Sequence, residues 1–253
     1  MRILCSLSLA AVALHGCAGL QRTTIQPTHT IFALDATASV VPESLAQAVK
    51  SVDAEVDRMQ RGDCITVLPI ISSSVAIPSN EIVRGCAPIA RQPYDQDLKV
   101  FRDQMRKSID QQAQKLSSTQ AEKTDILGTI DLLDQELALD GPRVQKRVIL
   151  FSDFIEEDAN RNFLRSADMS DVAVASTLAR DLAYRKRAAG NNAAIWNGIP
   201  ILLAGLQSSE LPQLAESRRA AIRQFWTEYF DARQAQPTYV NDGPGVCGKF
   251  LER

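Results

Sequence analysis

The stretch TIFALDATASV, Thr30 to Val40, decides the fold. Ile31 to Leu34 form an apolar run without alternation, the pattern of a strand buried on both faces. The run stops on Asp35, and two hydroxyls follow at alternate positions, Thr37 and Ser39. QKRVILFSD, Gln145 to Asp153, repeats the form: a charged entry, an apolar run and a terminal Asp153. IPILLAGL, Ile199 to Leu206, is a third run of the same buried type.

Segments of helical period separate these strands. PESLAQAVKSVDAEVDRMQR places Leu45, Val49, Val52 and Val56 on one face. KTDILGTIDLLDQELAL does the same with Ile126, Ile130, Leu133 and Leu137. Further helices are expected over residues 95–116, 171–187 and 212–233. The aromatic cluster FWTEYF, with Phe225, Trp226, Tyr229 and Phe230, reads as the core-facing stripe of the last one. The expected fold is therefore α/β, a doubly wound, mostly parallel sheet covered by helices on both faces, with one antiparallel edge strand.

In such a sheet the ligand crevice lies beyond the carboxyl ends of the strands. Asp35 and Asp153 both end there, Thr37 and Ser39 leave the first strand, and Thr124 opens a helix that reaches the same crevice. Two acids and three hydroxyls suit a hard cation such as Mg²⁺, with Mn²⁺ or Ca²⁺ as relatives in oxygen preference. So few carboxylates leave a position free for an acidic ligand.

These residues resemble the von Willebrand factor A domain with its metal-ion-dependent adhesion site. That family's pattern is Asp-x-Ser-x-Ser, a distant Thr and a further Asp. The resemblance spans about Thr30 to Tyr229 and maps onto Asp35, Thr37, Ser39, Thr124 and Asp153, with Thr37 in place of the first serine. It implies a non-enzymatic domain that captures an acidic residue of a partner protein through the ion. Where the family usually has Gly after the last Asp, Phe154 stands here.

Two other functions remain open at this level. Haloacid-dehalogenase-like phosphatases also end their first strand on Asp, and DATAS is distantly similar to their signature. Asp35 would then be the nucleophile, Ser72 the phosphate-binding hydroxyl and Lys123 the compensating charge, while Asp153 with Glu157 would ligate Mg²⁺. A structural envelope protein with a non-functional metal site is the other. Only His15 and His29 occur, so His-based catalysis in the domain is not expected. The acidic run DFIEEDAN reads as a solvated loop near Asp153. A net charge of -2 offers no basic field for nucleic acid.

The amino terminus adds location. MRILCSLSLAAVALHGCAGL has the form of an export signal, and its LHGC resembles a bacterial lipoprotein signal, with His15 at a usually aliphatic or small position. The resemblance implies lipid on Cys17 and, with Ala18 next, the outer membrane, facing the periplasm. Residues 1–17 are thus the expected signal, 18–29 a tether, 30–233 the domain and 234–253 a tail. In that oxidising compartment Cys64, Cys86 and Cys247 remain. CITVLPII and EIVRGC read as a hairpin centred near Val75, which sets Cys64 opposite Cys86, as a disulfide or as two buried thiols.

Overall fold

The first apolar run forms β1 (Thr28–Asp35), buried from His29 to Asp35. The computed structural model describes residues 26–74, 77–90, 96–119, 121–158, 160–189, 194–241 and 250. The expected signal segment with Cys17, most of the expected tether, Val75 and Cys247 lie outside them. The other strands are β2 (Cys64–Ile70), β3 (Val83–Cys86), β4 (Gln145–Ser152), β5 (Pro200–Gly205) and β6 (Gln236–Val240). They make one sheet in the order β3-β2-β1-β4-β5-β6, parallel throughout except for the antiparallel edge strand β3.

Alternation along each strand divides the core in two. Phe32, Leu34, Ile149 and Phe151 face α1 (Pro42–Arg58) and α2 (Gln96–Thr119), whose Val52, Val56 and Ile109 complete that layer. Ile31, Ala33, Val148 and Leu150 belong to the opposite layer, with α3 (Ile126–Leu139), α4 (Val172–Ala189) and α5 (Glu216–Ala232). Each fully buried Leu, Ile or Phe contributes about 1.5–3 kcal/mol, so these strands carry the stability. Phe225, Trp226, Tyr229 and Phe230 are all fully buried on α5. No helix among the described residues is long and apolar enough to cross a membrane.

The ordered domain exceeds the expected limits at both ends. His29, expected in the tether, is already inside β1, where its ring contacts Asp140 Oδ2 at 2.8 Å and Thr66 Oγ1 at 2.9 Å. Gln236–Val240, expected in the tail, adds the edge strand β6. Its half-exposed, Pro-containing sequence QPTYV lacks the buried-strand pattern because only one neighbour pairs with it.

Cys64 and Cys86 occupy paired positions across β2 and β3 and are joined by a disulfide that closes a separation of 22 residues. Such a loop closure is worth about 2–4 kcal/mol. The Cys64→Ser, Cys86→Ser double variant should unfold at lower denaturant with stability reduced by about that amount. Unchanged chemical denaturation would show that the bond does not constrain this edge.

Candidate metal centre

Strand order reverses between β1 and β4, and the crevice at their carboxyl ends holds all five residues singled out in the sequence. Asp35 and Asp153 each shape their own loop in the same way. Asp35 Oδ1 accepts the amide of Thr37 at 3.1 Å, and Asp153 Oδ1 accepts that of Ile155 at 3.0 Å. A carboxylate that bonds the backbone two residues on makes a tight turn, so each strand ends where its acid stands.

The hydroxyls link the two acids. Thr37 Oγ1 donates to Asp35 Oδ1 at 2.7 Å, and Ser39 Oγ donates to Asp153 Oδ2 at 3.0 Å. Thr37 Oγ1 and Ser39 Oγ approach to 3.1 Å, and Thr124 Oγ1 donates to Thr37 Oγ1 at 3.1 Å. Four contacts thus share the hydrogens of three hydroxyls, each of which has one to give. With both carboxylates ionised, the Thr37 and Ser39 oxygens face one another with lone pairs and no proton between them. A cation or an acid proton resolves that shortage.

Electrostatics lead to the same place. Asp35 is fully buried, and burial pushes its carboxyl above the ordinary value, with only hydroxyl and amide donors from Ser152 and Thr37 opposing the shift. Asp153 is pushed up to about 7, first by burial and then by the charge of Asp35. An all-oxygen donor set around two buried, mutually repelling carboxylates fits a hard divalent ion. The side chains of Asp35, Thr37, Ser39, Thr124 and Asp153 are the ones that would hold such an ion.

Several contributors are absent from the sequence reading. Ser152 Oγ donates to Asp35 Oδ2 at 2.6 Å, and Ser208 hydrogen-bonds Asp153. Ser152 directly precedes Asp153, and SSE follows the third apolar run as DATAS follows the first, so both had a positional signal. The loop after β5 is tied to the loop after β1 by Val41 N donating to Gln207 O and Ser209 N to Ser39 O, each at 2.9 Å. Above the hydroxyls opens a recess of about 160 Å³ whose lining includes Ser39, Thr124, Glu122, Glu157 and Glu210. Its acidic rim includes Glu157 from the run read as a solvated loop. A larger cavity of about 630 Å³ lies at the opposite, amino-terminal edge of the sheet, against Thr28, Gln145 and Pro200, far from these acids.

Phe154 takes the left-handed backbone conformation, φ 63°, that a Gly would adopt without cost. Its ring is fully buried, 5.3 Å from that of Tyr239 and 6.4 Å from that of Trp226. Trp226 Nε1 donates to Phe154 O at 2.9 Å, and the amide of Phe154 donates to Ser152 Oγ at 2.9 Å. Packing and hydrogen bonds together hold the strained residue, and the Asp153 loop keeps its tight shape without glycine. Of the residues a phosphatase would use, Ser72 Oγ accepts the amide of Lys123 at 3.2 Å, while Asp35 has both oxygens engaged and no exposed surface.

No family model and no curated protein matches the chain. Among solved structures it is similar to a von Willebrand factor type A protein from Catenulispora acidiphila, at 13% identity and TM-score 0.49, over 89% of this chain and 41% of that one. It is also similar to a conserved hypothetical protein, BatB, from Bacteroides thetaiotaomicron, at 11% identity and TM-score 0.47, over 89% and 96% of the two chains. A third is the manganese-loaded TRAP protein of Plasmodium vivax, at 11% identity and TM-score 0.40, over 85% and 69%. The chain thus spans about two fifths of the length of the first. The strand order, the antiparallel edge strand β3 and the switch-point crevice between β1 and β4 make the doubly wound, mostly parallel α/β fold expected from the sequence.

Proposed function

We propose that this domain binds a divalent cation, Mg²⁺ or Mn²⁺, through Asp35, Thr37, Ser39, Thr124 and Asp153, and uses it to capture an acidic side chain of a partner protein. The observation that carries the reading is the hydrogen shortage among the three hydroxyls between two buried carboxylates. A cation removes the shortage and the repulsion together. Two carboxylates and neutral hydroxyls leave positive charge over, and that charge favours an anionic ligand. Glu122, Glu157 and Glu210 at the recess repel an isolated carboxylate, so the partner's acid should be flanked by Lys or Arg.

The enzymatic alternative lacks a usable nucleophile. Asp35 is enclosed, and its oxygens point at Thr37 and Ser152 rather than at a substrate space. We place the domain on the periplasmic face of the outer membrane, held by lipid on Cys17. The chain enters β1 at Thr28 and the site lies at the other end of that strand, ~23 Å on at ~3.3 Å per residue. A lipid-tethered domain entered at that end presents the site away from the bilayer.

Three outcomes follow from this reading. Calorimetry should detect Mg²⁺ or Mn²⁺ binding that Thr37→Ala weakens at least tenfold, and EDTA or Thr37→Ala should abolish partner capture from envelope extracts. Folding should persist, because one lost hydroxyl contact costs about 1 kcal/mol, a melting shift of roughly 2–4 °C. Unfolding on EDTA treatment, or a partner bound equally well without metal, contradicts the mechanism.

The second outcome concerns pH. Folding pushes the Asp153 carboxyl from an ordinary 3.8 up to about 7, and Asp35 is raised in the same direction. Between those values the folded state keeps protons that the unfolded state releases. The metal-free domain should therefore lose stability as pH rises from about 4 to about 7. Mg²⁺ replaces the protons, so its affinity should rise over the same interval and cancel the loss. Melting curves in EDTA whose midpoints climb across that interval would refute the linkage.

The third outcome concerns the anchor. Mass spectrometry of the mature amino terminus should find acylated Cys17, and Cys17→Ser should move the protein out of the membrane fraction. A soluble, unlipidated wild type contradicts the anchor.

A further inference from the structure

Behind the strand-end site, and opening to a different cavity, three more carboxylates converge. Asp125 caps the amino terminus of α3, and Glu156 and Asp158 follow β4. One oxygen from each lies within 4.8 Å of the others, with Glu156 buried and Asp125 and Asp158 half-buried. Each is fixed by backbone amides. Asp125 Oδ1 accepts from Gly128 at 2.7 Å and its Oδ2 from Ser74 at 2.9 Å. Glu156 Oε2 accepts from Ile126 at 2.9 Å and Leu127 at 3.2 Å. Asp158 Oδ1 accepts from Asn160 and Arg161, while its Oδ2 has only Arg161 Nη1 at 3.5 Å.

Glu156 distinguishes this cluster from an ordinary acidic loop. The residue has no exposed surface, and its second carboxylate oxygen, Oε1, has no hydrogen-bond partner among the described residues. A buried orphan oxygen beside two other carboxylates requires a positive partner or a proton. The two neighbouring cations leave Glu156 Oε1 without a partner. Lys186 Nζ donates to Asp131 Oδ2 at 2.6 Å, and Arg161 contacts Asp158 only at the long distance given above.

We propose that Asp125, Glu156 and Asp158 form a second cation site, for an ion of Ca²⁺ size. Oxygen ligands sit about 2.3–2.6 Å from Ca²⁺, so opposite ligands are separated by up to roughly 5 Å, whereas Mg²⁺ draws them to about 4 Å. The limit of 4.8 Å on the separations lies within the reach of the larger ion. Each Asp125 oxygen keeps a lone pair beyond its amide contact, and Glu156 Oε1 and Asp158 Oδ2 are available. A cavity of about 230 Å³ that reaches Asp125 and Asp158 gives the ion an entry path and room for water ligands.

This second ion acts as a brace. Asp125 follows Thr124, Glu156 lies three residues after Asp153, and the amide of Glu157 donates to Thr124 O at 2.8 Å. The cation therefore ties the start of α3 to the loop after β4, the two segments that carry Thr124 and Asp153. The site stands on its own three carboxylates and does not require that the strand-end site bind metal.

The test uses the full mature chain, stripped of metal, carrying Thr37→Ala to weaken the strand-end site. Calorimetry with Ca²⁺ should find one site, with a rise in melting temperature on Ca²⁺ addition. Adding Asp158→Asn or Glu156→Gln should weaken that binding at least tenfold and remove the melting shift. In the otherwise unaltered chain, Asp158→Asn should leave Mg²⁺ binding at Thr37 and Ser39 within a few-fold of wild type, so the two sites fail separately. If Glu156→Gln does not fold, Asp158→Asn on its half-buried loop still decides. Absence of Ca²⁺ binding at millimolar concentration, or binding unaltered by both substitutions, overturns the proposal and assigns Glu156 a proton instead.

Discussion

Burial of two like-charged carboxylates at the ends of neighbouring strands is the constraint on which the rest of this structure depends. Leu34 pairs with Phe151 across β1 and β4, so Asp35 comes level with Ser152 and Asp153 lies one residue beyond. That register follows from the apolar strands, whose alternate side chains must fill both layers at once. The core therefore delivers both acids to one crevice, with no cationic side chain opposing the rise in either carboxyl's pKa. Stability comes from the strands, and the electrostatic cost is concentrated at a single place where loops diverge and an ion can enter.

The aromatic face of α5 serves core and site together. Trp226 fills the layer over β1 and β4, yet its indole N–H also fixes the carbonyl of Phe154, and the Phe154 ring lies against it. A non-glycine residue at positive φ costs about 1–3 kcal/mol and persists only where its surroundings impose it. Here the buried ring offsets that cost and keeps Asp153 in its turn. Distance from the carboxylates does not make α5 a bystander.

Much of this was legible in the sequence because it is local. An apolar run that ends on Asp, with hydroxyls two and four residues later, marks both a buried strand and the mouth of a crevice, and Asp35, Thr37 and Ser39 read directly. Thr124 and Asp153 were legible by their place at the edges of other apolar segments. What escaped is nonlocal or atypical. β6 has one pairing neighbour and no buried pattern, and the nearness of Glu122, Glu157 and Glu210 depends on three loops folding over one another. Asp125 looks like a simple helix cap. Only the unpartnered oxygen of Glu156, which no spacing rule reveals, sets the cluster with Asp158 apart.

The central claim is that Asp35, Thr37, Ser39, Thr124 and Asp153 hold a divalent ion. Anomalous scattering from crystals grown with millimolar Mn²⁺ tests it most directly. The account predicts a strong peak among the Thr37 and Ser39 hydroxyls and the Asp153 carboxylate, lost in Thr37→Ala crystals. Well-ordered crystals with no anomalous density in that crevice would contradict it.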